Sequence, residues 1–132
     1  MLQATHPLGR SPIVAYGKQT LDDLRRPARE LRSRIPDVYA GYAGTHKAAL
    51  ADGALDAATK ELIALAIAVA TRCDGCIASH ARGAARAGAT EQQVAEALGV
   101  AILMNGGPST VYGPRAMEAF LEFAQEGRTA PS

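Results

Sequence analysis

Both cysteines of the chain fall in one Cys-x-x-Cys motif, Cys73-Asp74-Gly75-Cys76. Two thiols so spaced at a helix start can reach each other and close a reducible disulfide, and inside the cell such a pair is more often redox-active or metal-binding than structural. Asp74 reads as a helix N-cap. That would put Cys76 in the first turn, where unpaired amides and the helix dipole favour a thiolate, and Arg72 adds positive charge. His80 follows Cys76 by four residues. On a helix the two side chains then share one face, and the imidazole can take the thiol proton. The plain alternative is a pair of buried, inert cysteines.

Glu61 is the one acidic residue of the helix predicted to precede the motif, and it stands immediately before the apolar run 62–70. A carboxylate beside so apolar a stretch needs a partner or a raised pKa; otherwise it only marks a solvent-facing first turn. A straight helix puts it ~18 Å from Cys73. It can approach His80 if the next helix folds back, with a water between them, or if another subunit supplies it. His6 and His46 have no comparable neighbours and read as ordinary surface residues. The main competing chemistry is zinc, for which Cys73, Cys76, His80 and a carboxylate are acceptable ligands, although a structural zinc usually has a second Cys or His pair. Haem attachment is excluded, since Ile77 stands where that motif requires His. A third reading is a non-catalytic helical assembly module. The preferred reading has no metal and no cofactor.

These residues need helices to position them, and the pattern is helical throughout. Residues 1–19 carry Pro7, Gly9, Pro12 and Gly17 with little periodicity and form an irregular arm. From Thr20, the residues Leu21, Leu24, Ala28, Leu31 and Ile35 make an amphipathic stripe, in which Pro27 either kinks the helix or opens its second part. Pro36 suits the first position of a second helix to about residue 50. Asp56 caps a third at 57–71, whose consecutive apolar residues predict a central helix covered on all sides. A fourth spans about 76–87 and closes at Gly88. Thr90 and Gln93 form a capping box for a fifth, to about Met104, and Asn105-Gly106-Gly107-Pro108 break it. The last helix starts at Ser109 or at Pro114 and stops near Gly127, leaving 128–132 frayed. The expectation is one all-α domain of about six helices at 20–127.

Charge and composition narrow the partners. Lys plus Arg number 14 against 13 Asp plus Glu, a formal net charge of +1, which argues against nucleic acid. The local cluster Arg25, Arg26, Arg29, Arg32 and Arg34 is interrupted by Asp22, Asp23 and Glu30 at helical spacing and reads as a solvated face. The run 62–70 falls far short of the ~20 residues of a membrane span, and the opening residues lack a basic start followed by an apolar run. The expected location is the cytoplasm, with no membrane partner. Only 5% of residues are aromatic, so small aliphatic side chains must do the packing. Their limited apolar area makes burial between subunits a natural supplement, and a homo-oligomer is expected.

Glu61, eleven intervening residues, Cys73-x-x-Cys76, three residues and His80 together resemble the signature of the AhpD-like branch of the carboxymuconolactone decarboxylase family. The stretches Glu61-Leu62-Ile63-Ala64-Leu65-Ala66 and Cys76-Ile77-Ala78-Ser79-His80-Ala81 look like the family core, and Ile102-Leu103-Met104-Asn105-Gly106-Gly107-Pro108 is similar to its short members. The resemblance runs from about residue 37 to 125. It implies an all-helical fold assembled into dimers, trimers or hexamers, with a trimer or hexamer expected here, and a thiol-dependent peroxide- or disulfide-reducing activity. Cys73 and Cys76 would be the redox pair, His80 and Glu61 the proton relay, and an external lipoyl or thioredoxin-like dithiol the reductant. The best-known peroxidase member has His just before its second cysteine, where this chain has Gly75. The lactone-decarboxylating branch lacks the cysteine pair, so its chemistry does not carry over.

Overall fold

The computed structural model describes residues 15–129. Within them the chain forms six helices: α1 (Lys18–Arg34), α2 (Pro36–Leu50), α3 (Ala57–Ala70), α4 (Asp74–Arg86), α5 (Glu91–Asn105) and α6 (Gly107–Thr129). The all-α expectation holds, and most of the expected irregular arm, residues 1–14, lies outside the described residues. Caps set the boundaries largely as the sequence implied. Asp56 accepts from the Thr59 amide at 2.8 Å, and Thr90 and Gln93 form a reciprocal capping box. Gly88, at φ +84°, closes α4 in the left-handed conformation that glycine adopts without cost.

The core lies between α3, α4, α5 and α6. Leu65, Val69, Ile77, Val94 and Phe120 are fully or almost fully buried, each worth ~1.5–3 kcal/mol of burial. Buried alanines at 78, 81, 84, 116 and 119 fill the spaces between the larger side chains, so helix axes can approach closely. α3 and α4 form an antiparallel hairpin at the centre of this packing.

Several expectations are corrected. α3 is not covered on all sides: Ile63 and Ile67 face outward, 47% and 58% exposed. α1 runs unbroken through Pro27, because that proline lies on an exposed turn where one lost amide bond is replaced by water. Its stripe is only partly used: Leu21 packs against the core, but Leu24, Leu31 and Ile35 remain exposed. Neither α1 nor α2 contributes a buried residue. Between α5 and α6 only Gly106, at φ +70°, breaks the helix, since Pro108 sits in the first turn of α6, where no amide bond is lost. α6 also continues through Pro114 and on to Thr129, so residues 128 and 129 are helical instead of frayed.

Candidate active site

The dithiol is presented by the turn between α3 and α4. Arg72, the one non-glycine described residue with positive φ (55°), reverses the chain. Its amide bonds to Val69 O and the Cys73 amide to Ala68 O, each at 3.1 Å, the paired bonds of a Schellman ending. The turn delivers Cys73, in extended conformation, to the N-cap of α4.

The helix therefore starts earlier than expected, and Asp74 is not its cap. The Cys73 sulfur takes that place, accepting from the Cys76 amide at 3.3 Å. Asp74 becomes the first helical residue, and Arg115 draws its carboxylate outward at 3.3 Å. The Arg115 guanidinium in turn stacks on Tyr112 and Tyr16, 4.4 and 4.8 Å from the ring centres. Consequently the helix N-terminus favours negative charge chiefly on Cys73. Cys73 and Cys76 are joined as a disulfide with their Cα atoms 5.2 Å apart. Cys76 is the exposed member and Cys73 is half-buried. At position 75 an added Cβ would sit 2.8 Å from Leu24 Cδ1, so a histidine there requires the half-exposed Leu24 to swing aside.

One turn further along α4, His80 Nδ1 meets Glu61 Oε2 at 2.7 Å, with the two side chains only 17% and 12% exposed. The bond is direct: neither a bridging water nor a second subunit is required. The hairpin folds α4 back along α3 far enough to bring the start of α3 beside its end. Gly83 makes room for the carboxylate, since a Cβ at that position would overlap Glu61. An ionised carboxylate can only accept, so Nδ1 donates to Glu61, and a neutral ring in this tautomer presents Nε2 as an acceptor. His80 makes no hydrogen bond to either sulfur among the described residues in this oxidised form.

His46, expected to be an ordinary surface residue, is a neighbour of the site. Its ring lies 5.9 Å from that of His80 at 16°, nearly parallel, and Tyr42 stands one turn before it on α2. Spacing within α2 gives no hint of this, because the partner lies on α4. Among the described residues no three His, Cys, Asp or Glu side chains converge on a point that could hold a metal ion.

Fold and site together define a small helical protein that displays a Cys-x-x-Cys pair at a helix start beside a shielded glutamate–histidine pair. The chain belongs to the carboxymuconolactone decarboxylase family, which it matches over residues 36–126. It is 41% identical over 103 residues to an uncharacterised protein of Cupriavidus necator, covering 78% of this chain and 91% of that one. An uncharacterised protein of Haemophilus influenzae is 43% identical over the same length, with the same coverage. Among solved structures, a carboxymuconolactone decarboxylase family protein from Legionella pneumophila, in its apo form, superposes with a TM-score of 0.77 at 42% identity, covering 80% of this chain and 95% of that one. A Thermotoga maritima protein superposes with a TM-score of 0.74 at 26% identity, covering 86% and 99%.

Proposed function

We propose that the chain is a cytoplasmic thiol oxidoreductase of the AhpD-like branch, reducing peroxides or disulfides by cycling Cys73 and Cys76 between dithiol and disulfide. The observation that carries this reading is the one-turn Cys73–Cys76 disulfide placed one helical turn before the bonded His80–Glu61 pair. Cys76 is the attacking residue, being the more exposed and the nearer to His80. His80 Nε2 takes its proton while Glu61 holds the ring in the required tautomer.

With a hydroperoxide, the Cys76 thiolate attacks the O–O bond, forms a sulfenic acid and expels an alkoxide that is protonated to the alcohol. The Cys73 thiol then condenses with the sulfenic acid, releasing water and forming the disulfide. In regeneration an external dithiol, of the lipoyl or thioredoxin-like class, attacks the exposed Cys76 sulfur. Cys73 leaves as the thiolate, its charge stabilised by the α4 amides, as rapid exchange requires of a leaving group. The reductant is itself left as a disulfide.

The working form is a homo-oligomer, trimer or hexamer, with α2 and the adjoining C-terminal end of α1 covered by neighbouring copies. This is supported by the exposed Leu31, Val38 and Tyr42, at 50%, 64% and 67%, on helices that hold no fully buried residue within one chain. No helix among the described residues is long and apolar enough to cross a membrane. Steady-state turnover of an organic hydroperoxide with dihydrolipoamide as reductant tests the activity. Turnover that Cys73→Ser and Cys76→Ser each abolish supports it, and no turnover with any hydroperoxide or disulfide substrate refutes it.

A further inference from the structure

One recess among the described residues lies away from the dithiol. It is a cleft of about 640 Å³ between α1, α4 and α6, within the size range of small-molecule sites. Five cationic side chains converge on it: Lys18, Arg25, Arg82, Arg86 and Arg128. Only two carboxylates, Asp22 and Glu126, share the lining, and Asp22 is already paired with Arg25 at 2.9 Å. Among the described residues Arg82, Arg86 and Arg128 have no carboxylate within ion-pair distance. The floor is apolar, made by Leu21, Phe123 and Ala124.

Gathering five cations around two carboxylates is electrostatically unfavourable. Partial burial of Arg82, together with the charges of Arg86 and Arg25, pushes its pKa down from the usual arginine value. An anion in the cleft would relieve this repulsion, and arginine forks pair with phosphate oxygens in bidentate geometry. His80 and Arg82 point to opposite sides of α4, because two residues turn a helix by ~200°. The cleft is therefore separate from the dithiol face, and neither the His80–Glu61 pair nor the cysteines contribute to it.

We propose that this cleft is a binding site for a small phosphate ester with an apolar or aromatic body, its phosphate held by Arg82, Arg86 and Arg128 and its body lying on Leu21, Phe123 and Ala124. The ligand class follows from the two halves of the lining: multiple charge for the rim, and an apolar surface for the floor. A polycarboxylate meets the first requirement but not the second.

Titration calorimetry of the full-length protein with 1-naphthyl phosphate tests this, beside 1-naphthalenemethanol, inorganic phosphate and citrate. The expected result is one naphthyl phosphate bound per chain, no measurable binding of the neutral alcohol, and weaker binding of inorganic phosphate. Arg86 and Arg128 are exposed, so Arg86→Met and Arg128→Met fold normally and should each weaken binding roughly tenfold, as expected for loss of a charge-assisted hydrogen bond. Affinity should be the same in the oxidised and reduced protein. No binding at millimolar naphthyl phosphate overturns the proposal, as does unchanged affinity in both arginine variants. Citrate binding as tightly as naphthyl phosphate overturns the assigned ligand class.

Discussion

Gly83→Ala separates the stability of α4 from the chemistry it positions. Replacing glycine by alanine inside a helix ordinarily favours the helix by ~1 kcal/mol. Here the new methyl would overlap the Glu61 carboxylate, which must leave its 2.7 Å bond to His80. A hydrogen bond between ionisable, shielded groups contributes ~1.5–3 kcal/mol; set against the propensity gain, a net loss of ~0.5–2 kcal/mol of stability is expected. The kinetic effect should be larger. Glu61 acts by holding His80, so displacing it should slow oxidation of the reduced dithiol roughly tenfold to hundredfold, below the ~10²- to 10⁴-fold available from the general base itself. Denaturant unfolding gives the first quantity, and stopped-flow oxidation by hydrogen peroxide at neutral pH gives the second. Glu61→Gln should match the kinetic defect, and combining it with Gly83→Ala should add little, as for residues acting through one contact. If Gly83→Ala oxidises at the native rate while Glu61→Gln is slow, the argument that position 83 makes room for the carboxylate is wrong.

Arg72→Gly should stabilise the protein by about 0.5–1 kcal/mol, since it places glycine at a left-handed C′ position; denaturant midpoints at constant slope measure it. Asp56, through its bonds to Thr59, has a pKa below its ordinary 3.8. Its carboxylate therefore stabilises the fold above that value and ceases to do so as pH falls through the lowered one. Asp56→Ala should flatten this acid limb of the stability–pH curve. Light scattering over a concentration series should give an oligomer, and Val38→Glu with Tyr42→Glu should shift it toward monomer; a native protein that is monomeric at every concentration contradicts the proposed assembly.

The residue types at the site were legible in the sequence, because redox-capable cysteines, a histidine one turn on and a lone carboxylate beside an apolar run are local facts. The bond between Glu61 and His80 was not. It depends on the crossing of two helices and on the missing side chain at Gly83, neither of which spacing can supply. His46 was dismissed for the same reason, its partner lying on another helix. The N-cap was displaced by one residue because a sulfur, not the preferred Asp74 carboxylate, took the amide, while Arg115 offered that carboxylate a different partner. Proline misled in one direction only. Pro27 and Pro114 were both admitted into helices whose remaining bonds and packing outweigh one lost amide, whereas the true break fell at the positive-φ Gly106.

The most direct test of the redox assignment combines thiol counting with the pH dependence of oxidation in the reduced native protein and His80→Ala. The account predicts that one equivalent of peroxide removes both thiols of the native protein without unfolding it. It also predicts that His80→Ala is slowed most at neutral pH, with the defect shrinking as pH rises past the thiol pKa, where hydroxide replaces the imidazole as base. Two thiols that survive oxidant, or a His80→Ala variant that reacts at the native rate at neutral pH, would contradict it.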